Sequence, residues 1–273
     1  MKQKKNRFKI LLILLNILTI IGFFVLFFTY MPLLKKAIDK YDTAWFLIGI
    51  IFIRIGNFGF FSSYLYKKWF NQEVIYTSDG FFLFALFFNI FIYGKFFDLF
   101  SYLSFGSEEI TESFFLIILK IRYMILILEA IPLLYHGLEV LVNFIKVYSE
   151  KTNKTQLKKL RQIIILVFLS MMTILIILAP NSTFIINLFP ILVLGTILGI
   201  IIMFLFMYKM KLLSQANGLI IGLGFILFML SSFLRSFLSA QFDPILIIIS
   251  EIIDMFVFFI IFIGFIKKPN YKT

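Results

Sequence analysis

Cysteine is absent from this chain, which excludes disulfides, thiol chemistry and Cys-ligated metals and removes any mark of compartment redox. Histidine occurs once, at His136. With neither a second imidazole nor a thiolate, no zinc site is expected, and this side chain reads as a hydrogen-bonded or pH-sensitive group. Charge is scarce as well: Asp, Glu, Lys and Arg make up 15% of the 273 residues, against roughly 25% in a soluble domain. No polar stretch is long enough for a separate soluble domain, and the longest, from about Lys146 to Gln162, has room for one short amphipathic segment. Catalytic signatures are missing too. There is no Gly-x-Gly-Asp or Gly-x-Ser-Gly of intramembrane proteases, no His-Glu-x-x-His, no paired Asp motif for phosphotransfer and no P-loop. Lys120 and Arg122 are two apart with no repeat at every third position, which excludes a voltage sensor, and the last two apolar runs hold no lysine for a retinal Schiff base. These absences lean against an enzyme and give no reason to expect a cofactor.

What the chain has in excess is apolar surface. Hydrophobic residues make up 62%, concentrated in runs of about 20 or more, the length that crosses a hydrocarbon core of about 30 Å. Eight spans are predicted, at about 8–30, 44–66, 81–104, 113–143, 162–180, 184–207, 217–240 and 245–266. The whole of 1–273 therefore reads as a single all-α membrane domain, a polytopic helix bundle. The first run ends in Phe-Phe-Thr-Tyr-Met-Pro, without the small residues of a cleavage site, and is expected to remain as a helix. A formal charge of +12 raises the question of nucleic acid, but 18 of the 26 Lys and Arg fall in alternate loops and termini on one side, three on the other and five within spans. That is the positive-inside pattern. It places both termini in the cytoplasm of a cell-membrane protein, makes anionic inner-leaflet lipid the partner of the basic loops, and excludes nucleic acid as the reason for the charge. The loop Phe105 to Glu112, with Glu108, Glu109 and Glu112, lies outside; Met31 to Thr43, also outside and read as a loop, dissents with Lys35, Lys36 and Lys40.

Small residues at helical spacing predict close helix packing at Gly49, Gly56, Gly59 and Ser63, at Gly195-xxx-Gly199 and at Gly218-xxx-Gly222. Pro132 and Pro190 lie inside spans and predict kinks. Asn181-Ser182-Thr183 fits a glycosylation triplet but hugs the membrane. A faint echo joins Tyr66-Lys67-Lys68 and Gly80 to Tyr208-Lys209-Met210-Lys211 and Gly218, as parallel copies of a four-span half would.

The centre of the reading is the charge inside the spans: Arg54, Lys95, Lys120, Arg122 and Arg235 against Asp98, Glu129, Glu139, Glu251 and Asp254. Left unpaired in lipid they would cost of order 25 to 35 kcal/mol, so most must pair or meet water. Arg122, Glu129, His136 and Asn143 recur every seven residues and predict one polar stripe on the fourth span. Lys95 with Asp98, and Glu251 with Asp254, share helix faces at a spacing of three. Ser231, Ser232 and Ser239 flank Arg235 and are expected to offer it hydroxyls. Together these residues predict a polar chamber open to the outside. Arg122 and Glu129 lead the candidate ligand-binding residues, followed by Arg54, Arg235, Glu251 and Asp254, with Lys95, Asp98 and His136 alongside. The expected function is binding or translocation of a small polar or charged solute there. Two alternatives are a sensor or scaffold acting through a protein partner at the cytoplasmic loops, with the charges as a two-state lock, and a lipid-modifying enzyme without a recognisable motif.

Overall fold

The computed structural model describes residues 2–107, 109–148, 154–213, 216–239 and 244–271. Among them there is no strand. The helices, in order, are α1 (Lys2–Thr29), α2 (Met31–Lys40), α3 (Ala44–Phe70), α4 (Gly80–Gly106), α5 (Glu112–Tyr148), α6 (Lys154–Ile177), α7 (Ser182–Lys209), α8 (Gly218–Ser239) and α9 (Pro244–Ile266). Six stretches are long and apolar enough to cross a membrane: Lys5–Thr29, Ala44–Phe70, Gly80–Ser104, Thr155–Ile177, Gly218–Arg235 and Pro244–Ile266. A bilayer core offers no water to backbone N–H and C=O groups, so runs of this kind settle as helices, which satisfy those groups internally. The helices α5 and α7 stand where the two other spans were expected, and α5 runs on through Pro132.

Polar residues in the connections fix where helices begin. Asn181 Oδ1 accepts from the N–H of Phe184 at 2.8 Å, so the residue of the apparent glycosylation triplet caps α7. Asp79 Oδ1 does the same for Phe81 at 2.8 Å, and Asn217 Oδ1 for Leu219 at 3.1 Å. Beyond α7 the chain turns at Lys211, whose φ of 54° lies in the left-handed region.

The chain divides into two compact units, Met1–Glu129 and Ala130–Thr273. In the first, α3 and α4 form the main packed pair. Their seam is aromatic: Phe58 lies 4.9 Å from Phe91, and Phe61 lies 5.4 Å from Phe88, centroid to centroid. At one end Trp69 meets Phe82 at 4.7 Å and Phe8 of α1 at 5.4 Å. The segment Met31 to Thr43 corrects the sequence reading: most of it is not loop but α2. Pro32 sits in its first turn, where a missing N–H costs nothing, and Lys40 in its last. It buries Leu34 and Ala37, exposes Lys35, Lys36, Asp39 and Lys40, and packs against α4. Ten residues make about 15 Å of helix, half a hydrocarbon core, so α2 is too short to cross.

In the second unit α8 packs against α7 and α9. Glycine decides how closely. A Cβ on Gly264 would lie 2.5 Å from Ile221 Cγ1, and one on Gly224 2.6 Å from Ile261 Cγ1, so α8 and α9 meet backbone to backbone there. Gly218 and Gly222 are similarly tight against Phe204 and Leu205 of α7, as their spacing predicted. The other glycine expectations fail. No described atom lies within 4 Å of a Cβ placed on Gly49, Gly56, Gly195 or Gly199, and Gly59 meets only Ile92 at 4.0 Å.

Candidate functional site

The charges expected within the spans gather into networks, one of them in the N-terminal unit between α4 and α5. On α4, Lys95 and Asp98 are one turn apart and their side chains join at 2.7 Å, with Lys95 wholly buried. On α5, Arg122 and Glu129 are two turns apart, and the long guanidinium spans the gap, Nη1 to Glu129 Oε1 at 3.1 Å. The two helices are then tied by Arg122 Nε donating to Asp98 Oδ1 at 2.6 Å, with Nη2 at 3.5 Å from Oδ2. This is a continuous quartet, Lys95–Asp98–Arg122–Glu129, of two positive and two negative groups. Its formal charge is zero, and its members satisfy one another in the interior, where a lone ion would carry a large desolvation penalty.

Space for the quartet comes from a residue that the sequence reading did not single out. Gly94 is buried on α4 opposite the Arg122–Glu129 pair. A Cβ there would stand 3.0 Å from Arg122 Nη1 and collide with Glu129 Oε1. Nothing in its neighbourhood in the sequence marks it, apart from the charged residue that follows. Arg54 also lies in this unit, buried on α3 with its guanidinium 5.4 Å from the Phe58 ring centroid, a cation–π arrangement.

The C-terminal unit holds a second centre between α8 and α9. Arg235 Nη2 lies 3.0 Å from Glu251 Oε1 and also donates to Asp254 Oδ2. Glu251 and Asp254 share one face of α9, as their spacing implied, and both are buried, at 0% and 2% exposure. One guanidinium thus contacts both carboxylates. Of the serines expected beside Arg235, Ser231 and Ser232 both donate to the carbonyl of Phe228, at 3.0 and 2.7 Å. The side chain of Ser239 lies outside the described residues.

The heptad stripe on α5 is realised in part. Arg122 and Glu129 touch, whereas His136, half-buried in the second unit, lies 6.2 Å from the Phe204 ring. The side chain of Asn143 is outside the described residues. Glu139 finds a partner not anticipated, Arg161 of α6, at 3.5 Å. Arg161 also donates to Tyr135 Oη at 2.9 Å and lies over its ring at 4.2 Å from the centroid. By sequence Arg161 belonged to a basic loop; in the structure it is buried, because α6 begins at Lys154 and carries it into packed surroundings. No three His, Cys, Asp or Glu side chains among the described residues converge in a way that would hold a metal.

An all-helical structure with six helices long and apolar enough to cross a membrane is that of a multi-pass membrane protein. No family model, curated protein or solved structure matches it, and the functional reading rests on its own geometry.

Proposed function

We propose that this is an eight-span protein of the cell membrane, with both termini cytoplasmic, that binds or translocates a small polar or charged solute, coupled to a proton or small cation held by Glu251 and Asp254 beside Arg235. The observation that carries this is the convergence on Arg235 of two buried carboxylates that lie one helical turn apart on α9. Carboxylates brought this close in the interior repel each other, and a proton or small cation shared between them relieves that repulsion. The quartet around Arg122 pairs opposite charges across α4 and α5. That mutual pairing favours, for the quartet alone, the second reading of a two-state lock that solute or a cytoplasmic protein partner would release.

The topology draws support from contacts within the first unit. Lys5 Nζ donates to the carbonyls of Phe70, at 3.1 Å, and Gln72, so the basic N-terminus and the connection after α3 share one end. Lys36 of α2 pairs with Glu109 at 2.5 Å, bringing the two segments assigned to the outside together at the other. Counting α5 and α7 with the six apolar helices gives the even number that returns the C-terminus to the side of the N-terminus.

The test is the thermal midpoint of the purified protein across pH and with Na⁺, K⁺ or Li⁺. A ligand that binds only the folded form adds about 2.7 kcal/mol at a hundredfold excess over Kd. Stabilisation by acid or by one cation, lost in Glu251→Gln and Asp254→Asn, is the expected result. A wild-type profile that both variants reproduce would overturn the proposal.

A further inference from the structure

We infer that the groove between α1, α3 and α4 is a binding site for one anionic phospholipid. The groove has a volume of about 680 Å³, within the range of small-molecule sites. Its walls are two antiparallel stripes of helical spacing. Lys5, Lys9, Leu12 and Ile17 come from α1, and Gly59, Ser63, Tyr66 and Lys67 from α3. The contact of Lys5 with the end of α3 sets the basic ends side by side, so Lys5, Lys9 and Lys67 gather at one mouth. No acidic residue lines the groove among the described residues. From Lys5 to Ile17 it runs about 18 Å, the depth of a head group and the upper part of an acyl chain.

Polarity falls off along that length as it does along a lipid. Beside Lys67, Tyr66 Oη is buried without a hydrogen-bond partner among the described residues, a donor placed to meet a phosphate or ester oxygen. The deeper polar groups are occupied with each other. Tyr93 Oη donates to Asn16 Oδ1 at 2.8 Å and accepts from Asn89 at 3.1 Å, while Asn16 donates to the Leu12 carbonyl at 2.8 Å. Unmet polarity and positive charge lie at the mouth, and satisfied or apolar surface lies within. A soluble phosphate would leave the apolar length unused; an anionic amphiphile uses both ends. This site is independent of the solute reading above.

The full-length protein in neutral detergent is titrated with phosphatidylglycerol, phosphatidylcholine or soluble glycerol phosphate, with bound lipid counted by native mass spectrometry and the thermal midpoint followed. Retention of one phosphatidylglycerol, and a rise in midpoint with it alone, are expected. Lys9 and Lys67 are exposed at the mouth, and Lys9→Gln with Lys67→Gln should weaken that preference about thirtyfold, at about 1 kcal/mol per basic residue. Gly59→Leu is a steric counterpart that keeps every charge, since a side chain there grows into open groove. Equal retention of the two lipids, undiminished binding in both variants, or saturation by glycerol phosphate would each overturn the inference.

Discussion

Replacing Gly94 by alanine adds one methyl group where the quartet has no room for it. The Cβ would lie 3.0 Å from Arg122 Nη1 and on top of Glu129 Oε1. Both are ends of flexible side chains and can swing aside, but doing so separates a buried guanidinium from its carboxylate. A hydrogen bond to a charged group is worth about 1.5–3 kcal/mol. Alanine returns about 1 kcal/mol over glycine in a helix interior, so the net expectation is a loss of about 0.5–2 kcal/mol. Gly56→Ala on α3 makes the same chemical change into open space and should be neutral or stabilising by up to about 1 kcal/mol. The propensity gain is common to both, so the two variants should differ by about 1.5–3 kcal/mol in reversible unfolding in mixed micelles. If the methyl acts through Glu129, the double variant Gly94→Ala/Glu129→Ala should be no less stable than Glu129→Ala alone. Equal stability of Gly94→Ala and Gly56→Ala would refute the role given to Gly94.

Arg122→Gln should destabilise the protein by about 3–5 kcal/mol, because Asp98 and Glu129 both lose the guanidinium they share. Arg122→Lys should rescue little of this in the same unfolding assay, since one ammonium cannot reproduce contacts made separately by Nε and Nη1. Lys36→Gln, at the exposed pair with Glu109, should change stability by less than about 1 kcal/mol, and a larger loss would contradict its exposure. Because the chain has no cysteine of its own, single cysteines report topology cleanly. Thr111→Cys should react with an impermeant maleimide in intact cells and Thr77→Cys only after lysis, and the reverse pattern would invert the proposed orientation.

The helices were legible because a run of apolar residues long enough to cross a bilayer has few other forms to take. The intrahelical charge pairs were legible for a similar reason: a spacing of three sets Lys95 beside Asp98, and Glu251 beside Asp254, whatever surrounds them. Partners across helices were not. That Asp98 receives Arg122, or that Arg235 faces α9 while the serines beside it bond Phe228, depends on how faces meet, which periodicity does not encode. Glycine shows the limit most plainly. The same small-residue spacing occurs at Gly195 and Gly199 as at Gly218 and Gly222, yet among the described residues only the second pair touches a neighbouring helix, and Gly94 and Gly264 matter without any pattern. The helix α2 was missed because ten residues, four of them charged, resemble a loop until α4 supplies an apolar surface for Leu34 and Ala37.

How the charges divide among helices bears on the order in which the chain can enter a bilayer. Lys95 and Asp98 travel together on α4, and on α5 Lys120 and Arg122 offset Glu129 and Glu139, so each of these helices arrives formally neutral. Partners can be exchanged afterwards, when Asp98 takes up Arg122. The last two helices have no such allowance. The span of α8 brings Arg235 alone and α9 brings Glu251 and Asp254, so either by itself would present uncompensated charge at about 2.5–3.5 kcal/mol per residue. They are suited to leave the insertion machinery as one hairpin, with the guanidinium already between its two carboxylates, and a chain truncated between them would hold α8 in the membrane poorly.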